Sequence, residues 1–151
     1  MWSAATVLVC ALGILGRSPE PRIVLVDVPP LDASPGVEAF VRSGDDIIHL
    51  VTSSSVFRDA MAARNRCGNL NALRKIASVI VHEEWHVRNG PDERGAYHAQ
   101  LLALMMMGSD ASSVTYAEVS RAMRAVTVAD RAAGRATWRP VSNVPRTSAV
   151  R

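Results

Sequence analysis

Lysine is nearly missing from this 151-residue chain: of its 17 basic residues, only Lys75 is not an arginine. There is no run of basic residues, and aromatics are too scarce, at 5%, to interleave with them. The net charge of +3 is thinly spread, so the electrostatic footprint of a nucleic-acid binder is absent. No apolar run is long enough to cross a bilayer; the longest, from Ala4 to Gly16, falls well short. Internal repeats and low-complexity tracts are also lacking. What is present is a globular composition, 48% hydrophobic, which suffices for one domain with a real core.

The apolar stretch Ala4–Gly16 has the length of a signal-peptide core. It is expected to be a leader over residues 1–18, which makes the protein exported; the other reading is a buried first element of the fold. With the leader removed, Cys67 would stand alone and no intrachain disulfide would form. The domain proper is expected over 19–139, followed by a flexible tail over 140–151.

The informative stretch is His82-Glu83-Glu84-Trp85-His86. Residues four apart stand one above the other on a helix, so the two imidazoles can converge on one ion. Neutral imidazole suits zinc. Glu83 lies about 100° around the axis from His82, within reach of a water at the metal. Apolar residues at 73, 76, 80 and 87 recur with a helical period and place a core opposite the histidines. Lys75 falls on the histidine flank. Glu83 lies between core and cleft, where partial burial would raise its pKa toward that of a general base. Glu84 points elsewhere and has no evident catalytic geometry.

Around this helix the sequence implies an α+β fold. Arg22–Val28 reads as a strand, and Val37–Arg42 with Ile47–Thr52 as a hairpin around Ser43-Gly44-Asp45-Asp46. His49 reads as a half-buried strand residue rather than a ligand. Ser53–Ser55 can cap a short helix over 56–63, and Asn69 or Asn71 the histidine-bearing helix. Asn89-Gly90 stops that helix, and a second runs from Pro91 to Met107, with Leu101, Leu102, Leu104 and Met105–Met107 expected in the core. After the break at 108–110, Thr115 can cap a last helix to about Ala133, with a stripe of Val119, Met123, Val126 and Ala133. Arg121, Arg124, Arg131 and Arg135 would form its solvated side.

The motif together with Glu93-Arg94-Gly95-Ala96-Tyr97 resembles the gluzincin metallopeptidases, and among them the minigluzincins, over about Val37–Met107. The resemblance implies a small zincin-like domain, a Zn2+ ion held by His82, His86 and Glu93, and hydrolysis of a peptide or protein substrate with Glu83 as general base. It also implies that the strand Ile47–Thr52 is the sheet edge along which an extended peptide docks. Taking Glu93 as zero, Tyr97, Gln100, Leu101 and Leu104 fall within about 80°, a mostly apolar stripe that suits packing on the histidine-bearing helix. Asp92 stands where a metzincin would place its third ligand, and His98 is the other candidate by chemistry. His98 and Tyr97 are candidate oxyanion donors. The reading from another class is a non-catalytic zinc-binding or scaffolding module that retains the helix pair. An intact Glu83 argues against it, since a structural site has no use for a base.

Overall fold

The computed structural model describes residues 1–137; the expected tail over 140–151 lies outside them. Among these described residues, five helices and one three-stranded sheet form a mixed α+β fold. Strand β1 (Arg22–Val26) is parallel to β3 (Ile47–Val51), and β2 (Ala39–Val41) is antiparallel to β3. The hairpin reading is correct in place, with Phe40 opposite His49 and Gly44 at φ 78° in the turn. The order β1-β3-β2 corrects the edge assignment: β3 is the central strand, and β2 is an edge. Alternation within a hairpin cannot reveal that β1 arrives from outside it to pair with β3. His49 is half-buried with its ring stacked on Phe40 at 4.7 Å, an ordinary strand residue.

Helix α3 (Leu70–Asn89) is the spine. Asn69 caps it by accepting from the Ala72 N–H, and Gly90 ends it. Leu73, Ile76, Ala77 and Ile80 on one face are buried against Ile48 and Leu50 of β3 and Phe57 of α2 (Ser55–Met61). Burying side chains of this size stabilises by about 1.5–3 kcal/mol each before entropy is counted. Helix α4 (Glu93–Met106) crosses α3 and carries α5 (Val114–Thr137) on a smaller cluster of Leu101, Leu104 and Val119. Leu102, Met105 and Met106 are exposed, not core as expected. They lie about 100° per step off the face that holds Leu101 and Leu104. The last helix begins two residues earlier than its sequence suggests, and the Ser113 hydroxyl, rather than Thr115, accepts from the Tyr116 N–H.

The stretch that reads as a leader forms helix α1 (Ala4–Leu15), packed on α3 through Val7, Cys10 and Ala11. Its Cys10 is disulfide-bonded to Cys67, so Cys67 does not stand alone. Just beyond α1, Arg17 forms a bidentate pair with the buried Glu84, which also accepts from the Glu20 N–H and from Arg88. Burial pushes the Glu84 carboxyl up, but these donors outweigh it and hold its pKa below the usual carboxylate value. Among the described residues no helix is long and apolar enough to cross a membrane.

Cys67→Ser is expected to lower the unfolding free energy by about 4 kcal/mol, the loop-entropy value for a crosslink across 57 residues. Urea unfolding of both chains, reduced and oxidised, reads this directly. Identical midpoints would mean that α1 docks without need of the crosslink.

Candidate metal centre

On α3 the helical repeat places His82 and His86 one turn apart, with Nε2 atoms 3.1 Å from each other. Helix α4 brings Glu93 to both: its carboxylate oxygens lie 3.4 Å from His82 Nε2 and 3.3 Å from His86 Nε2. The local cause is Gly95, where a Cβ would sit 2.5 Å from the Trp85 ring atom Cζ2 and 2.5 Å from Asp92 Oδ2. Only glycine lets the first turn of α4 close onto α3, and that closure delivers Glu93.

Each imidazole has its Nδ1 engaged. His86 Nδ1 lies 2.8 Å from the Gly90 carbonyl, which can only accept, so Nδ1 carries a proton and in the neutral ring Nε2 holds the lone pair. Gly90 adopts φ 82°, ψ −156°, a region essentially reserved for glycine, and this aims its carbonyl at the ring. His82 Nδ1 lies 3.2 Å from Gln100 Oε1, and Gln100 Nε2 donates to Ser78 Oγ at 3.1 Å. The Tyr97 ring packs edge-on against His82 with centroids 4.6 Å apart. Burial, then the neighbouring His86, lowers the His82 pKa to about 4, so its imidazole is neutral near pH 7.

Two imidazole lone pairs and a carboxylate thus converge within 3.1–3.4 Å of one another. Three electron-rich groups repel at that range unless a proton or a metal ion lies between them. A tetrahedral ion with bonds of about 2.05 Å has edges of about 3.3 Å between its ligand atoms, close to the spacing seen. His82, His86 and Glu93 could therefore hold a metal ion. Glu83, the next residue along α3, is buried, and burial pushes its pKa up to about 7 against the opposing charge of His86, with Glu93 adding to the rise.

The centre opens into a cleft of about 950 Å3 between α3, strand β2 and the hairpin turn that follows it. Of the sequence candidates, His82, Glu83 and His86 line this cleft together with Glu93. Asp92 is exposed as the N-terminal cap residue of α4, and His98 is exposed; neither belongs to the ligand cluster. Lys75 does not accompany the histidines. It pairs with Glu38 at 3.4 Å in a separate recess, because two helical turns put it on the same flank but about 10.5 Å further along the axis, beside the start of β2. The roles of Gln100, Ser78 and Gly95 escaped the sequence reading. The available signal for Gln100 was one polar residue in an otherwise apolar stripe two turns beyond Glu93.

No family model matches the chain, and no curated protein and no solved structure matches it.

Among Glu93→Ala, Asp92→Ala and His98→Ala, Glu93→Ala is expected to weaken metal binding most, by more than the ~10–100-fold typical of an outer partner. Gly95→Ala should weaken it as well, by pushing α4 away while leaving all three ligand residues in the chain. Competition titrations against a chromophoric chelator rank the four variants. A larger loss at Asp92 than at Glu93 would overturn the ligand assignment.

Proposed function

We propose that the protein is a small zinc-dependent peptidase of the gluzincin kind. The single observation that carries this is the convergence of two imidazole lone pairs and the Glu93 carboxylate beside a buried, protonatable Glu83. Soft thiolates are absent from the set, and two imidazoles with one carboxylate suit zinc with an open position. Zinc held there would act as a Lewis acid toward a carbonyl and make water more acidic.

The chain's own residues supply the rest. Glu83 accepts the proton of the attacking water on a carboxylate oxygen and returns it to the departing amine. A carboxyl with a pKa near 7 is suited to both transfers. His82 and His86, each held through Nδ1, stay fixed while the proton moves. The peptide lies extended along β2, the strand whose outer side faces the cleft, and β2 takes the role that the sequence assigned to Ile47–Thr52. The buried Glu83 also separates this reading from a scaffolding module, in which its burial would be an uncompensated cost.

Export is part of the proposal. The Cys10–Cys67 disulfide belongs to an oxidising compartment. The same bond ties α1 to the domain, so an exported form built this way retains residues 4–15.

Glu83→Gln is expected to keep its metal and its fold and to lose at least about 100-fold in hydrolysis of a quenched fluorescent peptide mixture. Glu84→Gln should instead lower stability by about 2 kcal/mol, through its lost charged hydrogen bonds, with activity per folded molecule nearly intact. Equal losses of activity in the two variants would refute the assignment of Glu83 as base, and a folded, zinc-saturated wild type with no hydrolysis would refute the peptidase.

A further inference from the structure

A histidine can bind a metal through Nε2 only if its proton sits on Nδ1. For His86 a main-chain carbonyl enforces this. For His82 the partner is the side-chain amide of Gln100, whose two ends have nearly the same shape and opposite hydrogen-bonding character. With Oε1 toward the ring, the amide accepts from Nδ1–H and leaves Nε2 free. With Nε2 of the amide toward the ring, it donates to Nδ1 and forces the His82 proton onto the wrong nitrogen. Something beyond Gln100 must choose between these two states.

Ser78 is in position to choose. It is completely buried one turn before His82 on α3, and its hydroxyl lies 2.8 Å from the Lys75 carbonyl. That carbonyl can only accept, so the hydroxyl proton points to it, and the Ser78 oxygen presents lone pairs toward Gln100. The amide answers with its N–H group at 3.1 Å, which turns Oε1 toward His82. In the flipped amide, Ser78 would have to abandon the Lys75 carbonyl in order to donate to Gln100. Gln100 is itself buried, so no water competes for either end.

We propose that Ser78 is a positioning residue that sets the tautomer of His82 through Gln100: a chain of three hydrogen bonds, starting from the Lys75 carbonyl, directs the His82 Nε2 lone pair at His86 and Glu93. The proposal deepens the metal-centre reading and rests on it for its effect on affinity. The tautomer itself can be read without any metal. The specific device is the polarity of the relay rather than the bulk of its residues. A carboxylate at position 100 has no wrong end, so it should make Ser78 dispensable.

The test compares the full chain with Ser78→Ala, Gln100→Leu and the double variant Ser78→Ala/Gln100→Glu. In metal-free protein at about pH 8, ring-nitrogen NMR shifts should show His82 protonated on Nδ1 in the wild type. They should show a mixed or reversed tautomer in Ser78→Ala and the Nδ1–H form again in the double variant. Zinc affinity, measured by chelator competition, should fall by about 10–100-fold in Gln100→Leu, by a smaller factor in Ser78→Ala, and recover in the double variant. Thermal melts confirm that the chains compared are folded. If folded Ser78→Ala keeps the His82 tautomer of the wild type, or if the glutamate does not restore it, the relay is refuted. If the tautomers follow this pattern and no variant, nor the wild type, binds zinc, the relay stands and the zinc peptidase falls.

Discussion

Where α4 crosses α3, Gly95 lies against the edge of the Trp85 ring with no space for a Cβ. The other features of the centre depend on that approach. It places Glu93 within 3.4 Å of both imidazoles, seats Tyr97 edge-on against His82, and brings Gln100 over the buried face of α3 to reach Ser78. A helix pair held one methyl group further apart could keep the apolar cluster of Leu101 and Leu104 with Val119 on the far side of α4 and would lose this registration. Close packing at one glycine and polar geometry two turns along are thus one constraint.

The sequence carried the parts of this fold that are local. The His82–His86 spacing, the apolar period of α3, the Asn69 cap, the Gly90 stop and the hairpin at Gly44 each arise from contacts within a few residues. Non-local features were hidden. Which hairpin strand is central depends on β1, and Arg22–Val26 reads the same whichever strand it joins. Glu84 looked idle because its partners, Arg17 and the Glu20 N–H, come from more than sixty residues away. Gln100 was visible as an angle on a helix but not as a hydrogen-bonding group. Its role exists only once Ser78 and His82 face it. The methionine run was misplaced for a related reason: periodicity gives a face, and only the neighbouring element decides whether that face is covered.

Two adjacent glutamates show how far environment separates identical side chains. Glu83 is buried, and burial outweighs the opposing charge of His86 to push its carboxyl up to about 7. Glu84, also buried, meets Arg17, Arg88 and a main-chain N–H and stays ionised. It fastens the segment after α1 to the spine, so a carboxyl with a raised pKa sits next to one whose charge is fixed.

Strand β2 is only three residues long, and among the described residues it pairs on one side alone. A long bare edge in a small sheet invites other copies of the same chain to add strands and grow into aggregates. Three residues closed off by the turn at Gly44 offer a visiting chain too few main-chain bonds to seed such growth. They still suffice to hold a short segment that is also gripped elsewhere in the cleft. The brevity of β2 therefore lets the molecule leave an open edge beside its centre while remaining a poor template for its own kind.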